Sequence, residues 1–342
     1  MAKKILHILA TNKYSGAENV ACQIIDAFRN NQEFEMVYCS PKGEIENVLK
    51  EKNIKYIAIE KLDSVNVKKV VEEYKPDIIH AHDFRAGLIA AGIKKNTKVI
   101  SHLHNNPPFI KKWGPKSIAY NLVKNKFDEI LVVSKAVQEE AVFLKNVKPK
   151  VTVVNNCINK NDVLEKVKQY EIKENYDIVF VGRLSLQKNP IKLIDIIKKV
   201  NELKPGIKAV IIGDGEEREK VEKYIEENEL GNVIEMKGFL QNPFPYLAKS
   251  KVVLMPSIFE GFGLVAIESM ICGVPVLNSG VGGLATIFEN DKYYICNEIE
   301  EYANKVIEII SGNKKYEFEN ILNKYTDIEV WKEKFEDAYK NK

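Results

Sequence analysis

The chain has 342 residues, is 45% hydrophobic and 29% charged, and carries a formal net charge of +3. That length exceeds what one core usually fills, so two domains of about 150 to 170 residues each are expected, and the composition excludes a disordered or fibrous chain. Cys22, Cys39, Cys157, Cys272 and Cys296 are odd in number and form no close pair of the kind zinc or redox sites use, so they read as reduced, buried and cytoplasmic.

The first ten residues place Ile5, Leu6, Ile8 and Leu9 around His7, too short and interrupted for a signal peptide and better suited to a first strand. Residues 1–170 carry 28 Lys/Arg against 19 Asp/Glu, whereas 171–342 carry 23 against 29. The basic first half suits an anionic partner such as a phosphorylated acceptor or a membrane surface; scattered solvated lysines are the plain alternative. The lysines are diffuse and form no recognition motif, so no nucleic acid is expected.

Along the chain, short apolar runs alternate with amphipathic helical stretches, the pattern of parallel sheets covered on both faces. The first half offers strands at Lys4 to Ala10, Phe34 to Cys39, Tyr56 to Ile59, Asp77 to Ala81, Lys98 to Leu103, Glu129 to Val133 and Val151 to Asn155. After the first of them, Tyr14-Ser15-Gly16-Ala17-Glu18 opens a helix, an arrangement suited to close approach by an anion or sugar, or to a plain tight turn. His80 and His82 read as structural, while His102 and His104 share one face of their strand. No carboxylate or cysteine completes a ligand set with these four histidines, so no metal is expected. Phe109-Ile110-Lys111-Lys112-Trp113 suits either peripheral contact with an anionic membrane or core packing.

Asn159 to Asn175 is highly charged without a strand pattern and is taken as the interdomain connection. The pattern then restarts at Asp177 to Val181, Ala209 to Ile212, Val233 to Met236, Val252 to Met255, Val274 to Leu277 and Tyr293 to Cys296, and Asp327 to Tyr339 reads as a last helix. The division expected is an acceptor-side domain over 1–165 and a nucleotide-sugar-binding domain over 170–325, with a helix at about 327–342 packing back on the first. Two doubly wound domains of this kind put the site between them, at the carboxyl ends of their strands.

Two segments of the second half carry the chemistry. In FVGRLSLQKNP, Arg183 offers a planar fork for phosphate oxygens and Lys188 a point charge, which together can neutralise a departing diphosphate. In PSIFEGFGLVAIESMICGVPVLNSGVGG, Gly261 and Gly263 allow close backbone approach and the helix start near Leu264 can hold a phosphate through its free N–H groups. Glu268, one turn into that helix among Val265, Ala266, Ile267 and Ile271, can accept hydrogen bonds from vicinal hydroxyls, and Glu260 can reach another group of the same ligand.

The stretch from Glu260 to Glu268 resembles the E-x7-E motif, in the form EGFGLxxxE, of the large family 4 of retaining glycosyltransferases with the GT-B fold. The resemblance covers nearly the whole chain and is most specific from Phe180 to Gly283. It implies that Glu260 touches the donor sugar, that Gly261, Phe262, Gly263 and Leu264 hold sugar and diphosphate through their backbone, and that Glu268 binds the ribose. It implies further that Arg183 and Lys188 bind the diphosphate, that His104 lies near the donor sugar, and that Gly238 in MKGF lines the base site. Gly16 falls in a loop similar to the family's GGxE, with Ser15 in place of the first glycine. Cys157 and Asn159 depart from the family's VxxNGxD pattern.

The activity so implied is transfer of a sugar from a nucleotide-diphosphate donor, expected to be a UDP-sugar, to an acceptor hydroxyl with retention and without a metal or other cofactor. The acceptor expected is lipid-linked or a growing glycan of cell-envelope or capsular polysaccharide, and the place is the cytoplasm or the inner face of the membrane. The carriers of catalysis would be Glu260, His104, Arg183 and Lys188. A same-face displacement assisted by the leaving phosphate oxygen is expected, with Glu260 as nucleophile the other route. A nucleotide-sugar epimerase and a catalytically silent nucleotide-sugar-binding protein are the competing readings.

Overall fold

Seven strands in the first half are β1 (Lys3–Ile8), β2 (Phe34–Pro41), β3 (Tyr56–Ile59), β4 (Ile78–His82), β5 (Lys98–Leu103), β6 (Glu129–Val132) and β7 (Lys150–Val153). They pair in parallel in the order β3-β2-β1-β4-β5-β6-β7. The second half contributes β8 (Tyr176–Val181), β9 (Ala209–Ile212), β10 (Ile234–Gly238), β11 (Ser250–Met255) and β12 (Val276–Asn278), parallel in the order β10-β9-β8-β11-β12. This computed structural model describes residues 2–14, 16–312 and 316–341; Ser15 lies outside them.

The strands are legible because parallel sheets are covered by helices on both sides, so their residues read as continuous apolar runs. Ile178, Val179 and Phe180 of β8 and Val252, Val253 and Leu254 of β11 are all buried. Both sheets wind outward from their first strand, β1 or β8, and reverse direction at the neighbouring fourth, β4 or β11. Such a reversal opens a crevice at the carboxyl ends of the two strands, where doubly wound domains bind ligands.

The chain divides into Met1–Asn156 with Ile328–Lys342 as one unit and Cys157–Asp327 as the other. The helix Ile328–Lys340 turns Trp331, Phe335, Ala338 and Tyr339 inward at helical spacing and packs on the first unit. Tyr339 meets the rings of Phe28 and Phe34, with centroids 5.9 and 5.5 Å apart.

Two expectations need correction. The charged stretch after Asn159 is no bare connection: Lys160–Val167 is a helix of the second unit, capped by the Asn159 side chain, which accepts from Asn161 N at 3.0 Å. It buries Val163, and Asn242 Nδ2 donates to its Lys166 carbonyl at 2.8 Å. A high surface charge left one apolar face that composition concealed. Tyr293 to Cys296 is not a sixth strand of the second sheet. Lys292–Tyr294 is a 3-10 turn started by the Asp291 side chain, and the chain pairs with β12 through the isolated bridge of Asn278 to Ile295.

Among the described residues no helix is long and apolar enough to cross a membrane.

Candidate functional site

In the second unit the loops leaving β8 and β11 meet where the sheet reverses. After β8, the chain turns at Gly182 beneath the loop that follows β9. A Cβ on Gly213 (φ +147°) would lie 1.8 Å from the Gly182 carbonyl oxygen, and one on Gly215 would lie 2.2 Å from that of Leu184. Leu184 N donates to Asp214 O at 3.0 Å, so Gly213 and Gly215 shape the loop carrying Arg183. Gly213 N in turn donates to Gly238 O at 2.8 Å, and Gly238 itself is left-handed at φ +67°. The ends of β8, β9 and β10 are thereby bound side by side.

The β8 loop is also clamped to the β11 loop. Ile258 N donates to Gln187 O at 2.8 Å, Gln187 Nε2 to Phe259 O at 3.1 Å, and the Lys188 ammonium pairs with the Glu260 carboxylate. Those two side chains are only 17% and 10% exposed, so their ion pair is largely removed from water. Arg183 is placed apart from it: its guanidinium is exposed and pairs with Glu216 at 3.1 Å. The two cations expected to act together thus hold different carboxylates.

From Glu260 the backbone passes through Gly261 and the buried Phe262 to Gly263, left-handed at φ +105° and ψ +53°, and enters the helix Leu264–Ile271. A Cβ on Gly263 would meet Leu284 Cδ2 at 2.7 Å, and one on Gly283 would meet Phe262 Cα at 2.4 Å. Gly283 N donates to Glu260 O at 3.0 Å. The phenyl ring of the buried Phe262 stands edge-on to Tyr325, 5.3 Å between centroids, so its side chain is taken up by packing. Leu264 is half-buried at the helix start. Glu268, one turn on, is half-buried, and burial pushes its carboxyl up to about 7 against the opposing pull of Lys166. This set of backbone amides at a helix start, a buried ammonium and two carboxylates on one doubly wound frame can hold an anion and hydrogen-bond hydroxyls beside it.

In the first unit, Gly16 begins the helix Gly16–Ala27, and open space surrounds the point where its Cβ would stand. His104 follows β5, is buried, and shares a hydrogen bond between its Nε2 and Nδ1 of His82 at 2.8 Å; burial drives its imidazole down to about 3, hence neutral. Three polar residues here escaped notice as site candidates. Glu18 is buried and accepts from Thr11 Oγ1 at 2.5 Å. Asp83 has φ +63° and accepts from His104 N at 3.0 Å, and burial pushes its carboxyl up to about 7. His7, 75 residues from His82, bonds to it at 3.0 Å. An acidic residue in a helix's first turn and an aspartate directly after a strand were the available signals for Glu18 and Asp83; His7 gave none. Of the stretch after Pro108, Ile110 is core, Phe109 packs edge-on against Phe84, and Trp113 is 56% exposed.

Two doubly wound α/β domains, the second with its loops joined at the strand reversal, define the GT-B class of fold. Residues 162–326 match the family described as Glycosyl transferases group 1, and residues 14–162 match Glycosyltransferase Family 4. The chain belongs to these glycosyltransferases. It is 32% identical over 264 residues to a 41.2 kDa protein of the cps region of Klebsiella pneumoniae, covering 72% of this chain and 71% of that one. It is 25% identical over 382 residues to the Escherichia coli UDP-Gal:alpha-D-GlcNAc-diphosphoundecaprenol alpha-1,3-galactosyltransferase, covering 99% and 98%. The solved structure of Anabaena Alr3699/HepE in complex with UDP and glucose shares its fold with a TM-score of 0.82 at 20% identity, over 98% of this chain and 99% of that one. The chain is accordingly a glycosyltransferase with relatives in polysaccharide biosynthesis.

Proposed function

We propose that this glycosyltransferase takes its sugar from a UDP-sugar and passes it, with retention at the anomeric carbon, to a hydroxyl of a lipid-linked or growing cell-surface glycan. The observation that carries this reading is the buried Lys188–Glu260 pair beside the Gly263 turn and the start of the helix Leu264–Ile271. A nucleoside diphosphate entering there would exchange Glu260 for its own oxygens at Lys188, and would meet the amides from Gly261 to Leu264. Arg183, drawn from Glu216, would add a second cation to the departing diphosphate, so charge is met at that step without a metal. Glu260, released, would face the sugar hydroxyls, and Glu268 the ribose.

The named relatives support the donor and acceptor classes: one is a UDP-Gal transferase acting on a diphosphoundecaprenol sugar, and one neighbour is a complex with UDP. Peripheral contact with an anionic membrane would suit such an acceptor. Trp113 and Leu122 are 56% and 76% exposed in the same stretch as the exposed Lys112 and Lys116.

The test is incubation with a panel of radiolabelled nucleotide sugars, with and without membrane lipid extract, followed by analysis of released nucleotide and of the product's anomeric configuration by NMR. Acceptor-dependent release of UDP with a retained configuration is expected. Donor turnover unaffected by acceptor, or an inverted product, would overturn the reading. Flotation with anionic vesicles tests membrane contact separately, and Trp113→Ala should reduce it.

A further inference from the structure

All five histidines of this chain are buried together in the first unit, at the reversal point of its sheet. His7 lies on β1 beside His80 of β4, and His82 at the end of β4 beside His102 of β5, with His104 just past the end of β5. Four contacts join them to one another and to the C-terminal helix. His7 Nδ1 meets His82 Nε2 at 3.0 Å, and His82 Nδ1 meets His104 Nε2 at 2.8 Å. His102 Nδ1 meets His80 Nε2 at 3.2 Å, and His80 Nδ1 meets the Tyr339 hydroxyl at 2.8 Å.

As a hydrogen-bonded ladder alone, the arrangement is unsatisfied. Each neutral imidazole has one N–H and one bare nitrogen. The row His7–His82–His104 can therefore point its N–H groups in only one direction at a time, leaving an unused N–H at one end and a bare nitrogen at the other. His7 Nε2 and His104 Nδ1 are those ends, and His102 Nε2 is a third buried nitrogen without a partner. Leaving a buried polar atom unpaired is costly, and a ligand at His102 Nε2, the one of the three that lies off the row, would relieve it.

We propose that His82, His102 and His104 bind one divalent transition ion, best zinc, with His7 and His80 as the outer hydrogen-bond partners that fix the ligands' tautomers. One nitrogen from each of the three lies within 4.8 Å of the others. His82 would bind through Nδ1 while its Nε2–H donates to His7, and His102 through its unpaired Nε2 while its Nδ1–H donates to His80. Metal-bound imidazoles usually hand their second N–H to such a partner, as His82 and His102 would here, while His104 would bind through Nε2. Ligands at zinc–nitrogen distances of about 2.0–2.1 Å in tetrahedral array stand roughly 3.4 Å apart, so the 2.8 Å pair His82–His104 need open by only about half an ångström.

The chemistry of the donors agrees. All three are buried imidazoles, which bind a metal through an unprotonated ring nitrogen. Three neutral imidazoles favour zinc over the harder calcium or magnesium and leave a fourth position for water or a ligand oxygen. The group stands at the carboxyl ends of β4 and β5, with His104 the least enclosed of the three.

The experiment uses the full chain purified without a metal-affinity tag and stripped with a chelator, and no sugar donor, so its result does not depend on the proposed transfer activity. Cobalt(II) is added as a spectroscopic probe, and zinc is titrated against a chromogenic chelator. One equivalent of bound zinc, the visible absorption of four-coordinate cobalt and a raised melting temperature are expected. His102→Gln and His104→Gln should each weaken zinc binding at least tenfold; His104→Gln, at the more open end, serves if His102→Gln does not fold. A folded wild-type chain with no cobalt band, no retained zinc and an unmoved melting temperature overturns the site and leaves a hydrogen-bonded ladder. Wild-type affinity in a folded variant overturns the ligand assignment.

Discussion

The two units use one frame for two opposite kinds of polar chemistry. At the reversal of the second sheet, glycines bring backbone close and a nearly buried ammonium is neutralised by a carboxylate, Lys188 with Glu260. At the reversal of the first, neutral imidazoles stack in a row, and burial holds them uncharged. Topology supplies the crevice in both, and the side chains loaded at the strand ends decide whether it offers an ammonium beside backbone amides or neutral imidazole nitrogens. The teaching is that a doubly wound domain fixes where a site lies and leaves its chemistry to a few residues after each strand.

That contrast can be broken most forcefully from the side of the first unit. Phe335 is fully buried on the helix Ile328–Lys340 and lies against the rings of His80 and His102. Phe335→Ala should cost about 3–5 kcal/mol of stability, read from urea unfolding, because the space it leaves cannot fully collapse. A loss under about 1 kcal/mol would mean the C-terminal helix is not part of that core.

In the second unit, Lys188→Ala should lower turnover of donor by about 10²–10³-fold, the size expected when one charge stabiliser of a leaving group is lost. Removing one partner also strands Glu260, so Lys188→Met with Glu260→Gln should recover the melting temperature without recovering turnover. A folded Lys188→Ala variant of full activity would remove Lys188 from the chemistry.

Glu268 sharpens the comparison through pH. Its carboxyl, raised from 4.5 to about 7, keeps its proton in the folded chain where the unfolded chain has lost it. Folding stability is then greatest below about 4.5 and falls as pH rises toward 7, the reverse of a salt-bridged acid. Glu268→Gln should flatten this part of the stability profile and weaken donor binding, both measurable by thermal shift. An unchanged profile would show that the carboxyl is not held out of water.

The smallest effect is expected at Arg183. Its pair with Glu216 is exposed, so Arg183→Ala should change stability by less than about 0.5 kcal/mol. Its consequence should appear in the KM for donor, measured by nucleotide release, and an unaltered KM would confine Arg183 to the surface.

Sequence patterning alone was enough for the two doubly wound sheets, since strands buried on both faces leave apolar runs between helical segments. It failed at Tyr293 to Cys296, where an apolar run closes a 3-10 turn beside the sheet edge, and at 160–167, where charge masks a helix that buries little. The glycines of the Glu260 loop were equally visible because local backbone geometry demands them, whereas the E-x7-E spacing was legible through its resemblance to a family motif.

What no local pattern contains is which distant residues meet. Strand alternation put His102 with His104 on one face, but only the placement of β1 and β5 on either side of β4 joins all five histidines. Lys188 and Glu260 are 72 positions apart and become partners only because β8 and β11 are neighbours. The sequence by itself determined the elements and the residue types at their ends, since these follow from periodicity and backbone sterics. Strand order, and with it every pairing of charge and imidazole at the two reversals, was decided by the tertiary structure, because long-range packing alone selects which strand ends become adjacent.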